Sequence, residues 1–298
     1  METFILLTIT GLGLGAMYFL VASGLSLIYG LMGVLNFAHG AFLTIGAYAT
    51  WWFAEQLEGS IGSPGLRFFI GAVLGLMAGA VVGAVVEVAL IRPLYQRHIE
   101  QVLVTVGLSL ALVALVQAIW GPTEQLYPVP EWLFDTTSVF GANVPNDRFV
   151  EIALAVVTLV GLLAFLRYTR YGLIIRAGVE NRAMVTALGI DVRRAFTLVF
   201  ALGGVAAALA GILSGVYFGS VDPERGTSLL IFAFIVVVIG GLGSIVGSAM
   251  AAVLVALTQQ YVNFYASAGI GDLAVVLLLA VTLLVRPAGI AGRTVVAH

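Results

Sequence analysis

Apolar residues run in long, uniform stretches along this chain, and polar residues gather in the gaps between them. A helix needs about 20 apolar residues to cross the hydrocarbon core. By that measure spans are predicted over residues 4–29, 69–90, 102–120, 149–166, 196–218 and 273–285. Two further segments, 29–53 and 227–258, are broken by glycine. The first break reads YGLMGVLNFAHG and the second GGLGS. Irregular backbone at membrane depth requires satisfaction by protein or by a water-filled cavity. The first break therefore lines a pathway or, by length alone, forms a tight helix–helix turn at the surface. The expected fold class is an all-α polytopic membrane protein with eight or nine crossings and two Gly-interrupted segments.

Small residues supply the packing signal. Gly71, Gly75, Gly79 and Gly83 recur every four residues and lay a smooth stripe along one helix, and Gly203, Ala207, Gly211 and Gly215 make a second. Such stripes let helix backbones approach closely in lipid. Glu87 continues the first stripe and is expected near an interface. His39 and Glu87 are the ionisable candidates within the spans, which argues for a driving force supplied from outside this chain.

Arginines set the orientation. Arg167, Arg170, Arg176 and Arg182 lie in the polar stretch 167–189, with Arg193 and Arg194 just after it, and Arg92, Arg97, Arg286 and Arg293 mark other gaps. The positive-inside rule assigns these gaps to the cytoplasm, with the N-terminus out and the C-terminus in. Residues 121–148, with four prolines and four acids, form the longest outer loop. Residues 176–188 are predicted to be a short helix with Gly189 at its C-terminal stop. The chain starts Met-Glu-Thr without a basic segment, so cleavage of a signal peptide is not expected.

Composition narrows the chemistry. Charged residues are 9 % of the 298, against about 25 % in soluble proteins, and the mean hydropathy is +1.11. There is no cysteine, which excludes disulfides and thiolate metal sites. There is no lysine either, which excludes a P-loop and a Schiff base. If ATP is used, another chain binds it. The His residues are scattered, and no G-x-S-x-G or paired carboxylates point to an enzyme. A gradient-driven carrier or channel for a small polar solute is one class that remains open.

Three stretches, GLSLIYGLMGVLNFAHGAFLTIGAY (24–48), RAGVENRAMVTALGIDVRRAFTLVFALGGVAAALAGILSG (176–215) and FIVVVIGGLGSIVGS (234–248), resemble the LivH-type permease family of branched-chain amino acid ABC importers. The resemblance runs in order over essentially the whole chain. It implies one transmembrane permease domain, 1–298, with a cytoplasmic coupling loop at 167–195, in a bacterial inner membrane. The implied partners are a second permease subunit (LivM-like or a copy), two cytoplasmic ATPase subunits holding ATP and Mg, and an extracytoplasmic solute-binding protein. No cofactor is expected on this chain, and no nucleic acid. Arg176, Glu180 and Gly189 are expected to couple to the ATPase. Asn36, His39, Gly40, Gly241 and Gly243 are expected along the substrate pathway. Related permeases proposed for urea and short amides share the Asn36–Gly40 motif, so the substrate stays open between amino acids and amides.

Overall fold

The computed structural model describes residues 1–180, 184–185, 189 and 191–291. The chain is a helical bundle. In order, the helices are α1 (Glu2–Met32), α2 (His39–Gln56), α3 (Pro64–Val86), α4 (His98–Trp120), α5 (Glu131–Phe134), α6 (Asn146–Tyr168), α7 (Arg170–Glu180), α8 (Val192–Phe218), α9 (Arg225–Gly240), α10 (Ile245–Tyr265) and α11 (Ile270–Val285). Among the described residues, α1, the α3 run extended to Leu94, α4, α6, α8 and α10 are long and apolar enough to cross a membrane; α9 and α11 are shorter apolar helices.

The two ends of the bundle differ. At one end, strands Thr136–Val139 and Ala142–Pro145 form a hairpin, and Gln125–Leu126 pairs antiparallel with Ser220–Val221. The start of α1 reaches this hairpin end, where the Glu2 carboxylate lies against Gly141. At the opposite, arginine end lie α7, the start of α8 and the turn between α9 and α10.

The centre is built from α1, α2, α8, α9 and α10, and glycine sets its spacing. The predicted stripe on α3 is real: a Cβ on Gly71 or Gly75 would strike Thr50 of α2, and one on Gly79 or Gly83 would come within 2.5 Å of Gly204 O or Phe200 O of α8. On the other side of α1, Gly15 meets the α10 backbone at Ala252 and Val253. Ser26 and Ser248 join the same two helices by a 3.2 Å hydrogen bond. By contrast α4 and α6 are only 17 % buried over their most apolar windows and stand at the periphery.

Three boundaries differ from the sequence expectation. α1 runs to Met32 and stops at Gly33 in a left-handed conformation, φ 67°. α6 starts at Asn146 and so takes Asp147 and Arg148 into the helix that already held Glu151. α7 starts at Arg170, six residues before the predicted helix, because the Thr169 hydroxyl accepts the Gly172 N–H at 3.0 Å and caps it. Of the predicted 176–188 helix, residues 181–183 and 186–188, with Arg182, lie outside the described residues, as do Arg293 and His298.

Where two backbones already touch, added volume must force them apart. Gly79→Leu is expected to lower the melting temperature of the purified protein by about 5 °C or more, in line with overpacking costs. Gly107→Leu, at a position with no neighbour within 4 Å, is expected to leave it unchanged. Thermal denaturation in detergent checks both.

Candidate transport site

A cavity of about 530 Å³ opens at the hairpin end between α1, the α8–α9 turn, α9, α10 and the start of α11. That volume is in the range of small-molecule sites. Local sequence chemistry builds its rim. Gly219 ends α8 in a left-handed conformation. Asp222 Oδ1 then accepts the Glu224 N–H at 2.7 Å and turns the chain into α9. Across the cavity, Asn263 Oδ1 accepts from the N–H groups of Gly269 (3.1 Å) and Gly271 (2.8 Å) and fixes where α11 begins. That placement brings Asp272 to the wall.

One wall holds a clasp. Arg225 donates to Glu124 Oε1 at 2.7 Å and to Ser220 O at 2.6 Å, and stands 4.5 Å from the Phe218 ring centre. The Ser220 hydroxyl also donates to Glu124. The Ser220 hydroxyl and the Arg225 guanidinium together hold the Glu124 carboxyl below its ordinary value. The clasp ties the long loop between α4 and α6 to the α8–α9 turn.

The other wall is a hydrogen-bonded chain that reaches the floor. Gln259 Nε2 donates to Asp272 Oδ1 at 2.6 Å, and the Tyr18 hydroxyl donates to Gln259 Oε1 at 2.7 Å. The Tyr18 ring stacks on Phe232, with centroids 5.1 Å apart and planes 7° from parallel. Met17 and Leu229 complete an apolar floor beneath a polar rim. Both are side chains for a small amphiphilic solute to meet.

The expected pathway residues lie elsewhere, at helix crossings. Asn36 and His39 are fully buried. Asn36 Oδ1 accepts the Ala38 N–H at 3.1 Å and His39 N–H bonds to Asn36 O, so Asn36 ties the start of α2. His39 Nε2 donates to Val21 O at 3.1 Å, and its ring fills the space facing Gly24. Gly40 touches the backbone of Gly226. Gly243 touches Gly30 and Gly241 touches Gly289. None of the five lines the 530 Å³ cavity. Through Gly40 the first group meets the start of α9, and through Gly243 the second closes the arginine end of α1.

Of the expected coupling residues, Arg176 is exposed on α7 and Gly189 is exposed with φ 78°. Glu180 is the last residue of α7; its side chain is outside the described residues. α7 buries Ile175 and sets Gly178 against Val192 of α8, while Tyr171 and Leu173 stay exposed. Glu87 is fully buried at the arginine end. It accepts from Arg92 (2.8 Å), Thr197 (2.7 Å) and Tyr95, and so joins α3 to α8.

A buried ionic group that the sequence expectations do not include lies inside the bundle. Arg148 Nη1 lies 3.3 Å from both Asp147 and Glu151, and its guanidinium lies 3.5 Å above the Tyr217 ring. The aliphatic part of Arg148 lies over Gly13 of α1. Glu151 was hidden in a long apolar run; its spacing of three from Arg148 was the available signal.

Comparison with known proteins agrees on one family. The family described as branched-chain amino acid transport system, permease component, matches residues 7–286. The permease protein LivH of Escherichia coli K12 is 30 % identical over 288 residues, covering 95 % of this chain and 94 % of that one. LivH of Salmonella typhimurium is 29 % identical with the same coverage. BraD of Pseudomonas aeruginosa is 30 % identical over 294 residues, 96 % and 94 % of the two chains. No solved structure matches. A family match over residues 7–286, nearly the whole bundle, makes this chain a multi-pass membrane protein of the branched-chain amino acid transport permease family.

Proposed function

We propose that this chain is the membrane-spanning permease subunit of an ABC importer that carries branched-chain or related hydrophobic amino acids into the cytoplasm. The observation that carries this reading is the end-to-end relation to LivH and BraD, whose names state high-affinity branched-chain amino acid transport. The lack of lysine leaves no P-loop on this chain, which supports the reading that ATP and Mg sit on partner ATPase subunits. A second permease subunit and an extracytoplasmic binding protein complete the assembly, in the cytoplasmic membrane of a bacterium.

The arginine distribution supports a hairpin end outside and an arginine end in the cytoplasm. In that orientation the successive helices α1, α2, α3, α4, α6, α8, α9, α10 and α11 give nine passes, N-terminus out and C-terminus in. Substrate delivered from outside enters the cavity between Asp272 and Arg225. It then passes the Asn36–His39–Gly40 and Gly241–Gly243 crossings, where the bundle is closed. α7, with Arg176 and Glu180, and Gly189 beyond its end form the coupling surface. Its packing on α8 through Gly178 and Val192 leads from that surface to the helix that ends at the cavity.

Glu180→Arg is expected to abolish leucine uptake while ATP hydrolysis by the assembled complex continues; wild-type uptake would remove Glu180 from the coupling surface. His39→Ala is expected to slow uptake several-fold, since it empties the fully buried space between α1, α2 and α8. Unchanged uptake in membranes with equal protein content would take His39 out of the pathway. Copurification from the native membrane tests the assembly itself. An ATPase with a P-loop lysine in stoichiometric amount is expected, and recovery of an active chain alone would overturn the reading.

A further inference from the structure

The cavity carries more acid than base. Asp222, Glu224 and Asp272 face one guanidinium, Arg225, and that guanidinium is already engaged by Glu124 and Ser220. Asp222 is partly engaged too, through the Glu224 N–H. Asp272 is exposed to the cavity, and Gln259 takes only its Oδ1. The floor below it is apolar, formed by Met17, Leu229 and Phe232. A ligand that satisfies this arrangement has a compact cationic donor next to an aliphatic group. A neutral amide such as urea offers neither the charge nor the apolar part.

We propose that Asp272 receives the α-ammonium group of the transported amino acid, and that Gln259 passes this contact to Tyr18, which closes the floor. The inference rests on the permease reading above and deepens it. The geometry supplies the link: Asp272 holds the Gln259 amide, and Gln259 holds the Tyr18 hydroxyl over Phe232. An ammonium competing for Asp272 weakens the hold on Gln259. Gln259 then releases Tyr18, and only the ring stack keeps the floor shut. Gln259 is 7 % exposed, so its amide has few partners other than these two, and their occupancy sets its position. Gln259 is thus a positioning residue and Asp272 the binding residue. Amino-acid selection by the permease comes from the ammonium group, with the aliphatic side chain on the floor.

The test uses the full complex in proteoliposomes with saturating leucine-loaded binding protein, and reads radiolabelled leucine uptake and ATP hydrolysis together. Asp272→Asn keeps the shape and removes the charge. It is expected to lower uptake about tenfold or more, the scale of a lost hydrogen bond to a charged group, while binding-protein-stimulated hydrolysis persists. Asp272→Glu is expected to restore part of the uptake. Tyr18→Phe keeps the ring on Phe232 and removes only the hydroxyl, and is expected to raise ATP-independent leucine exchange. Uptake in Asp272→Asn equal to wild type overturns the proposal. So does a joint fall of uptake and hydrolysis, which would mark a docking or folding role. Exchange through Tyr18→Phe equal to wild type overturns the link to the floor. If the wild-type complex itself shows no ATP-dependent leucine uptake, the permease reading fails instead.

Discussion

Lipid tails are as apolar as leucine, so burial from water does not hold transmembrane helices together; close packing must. In this protein the closeness comes from glycine against backbone. Gly24 meets Gly203, Gly79 meets Gly204, Gly40 meets Gly226, Gly30 meets Gly243 and Gly240 meets Gly247. These contacts bring α1, α2, α3, α8, α9 and α10 to spacings that no larger residue allows. The cavity exists where the pattern gives way. At the hairpin end the facing residues are Tyr18, Phe232, Gln259 and Arg225 in place of glycine, and the helices stand apart.

Three polar ties in the bundle each link two or more elements. Glu87 fastens α3 to α8 through Arg92 and Thr197. Arg148 fastens α6 to α8 across the Tyr217 ring and lies over Gly13 of α1. Tyr18, Gln259 and Asp272 fasten α1, α10 and α11. Leaving one partner of such a group unmet costs more than the pair itself contributes. The polar ties therefore fix which helices move together. The first tie lies at the arginine end, next to the start of α8. The last lies at the cavity, and α8 spans the distance between the two ends.

Much of this bundle was legible in the sequence. Uniform apolar runs gave the peripheral helices, the four-residue glycine period gave the contact face of α3, and the GGLGS interruption gave the α9–α10 turn. The family was legible in three motifs. What was not legible came from contacts between distant residues. The NFAHG motif gives no local sign that Asn36 holds the turn before α2 or that His39 bonds the α1 backbone at Val21. The cavity draws on residues 14 to 272, and nothing local marks Tyr18, Gln259 and Asp272 as neighbours. Glu151 does not stand out within the 149–166 run, because its setting, Arg148 beside it and the Tyr217 ring against that arginine, is a tertiary arrangement.

The central claim is that the cavity is the outer mouth of the permease and that α7 faces the ATPase side. The chain has no cysteine, so single cysteines can be placed in an otherwise unreactive background. Ser228→Cys lies on the cavity wall and Arg176→Cys on the exposed face of α7. With a membrane-impermeant maleimide added to intact cells, the account predicts labelling at position 228 and none at 176 until the membrane is opened. Labelling of 176 from outside, with 228 protected, would contradict it.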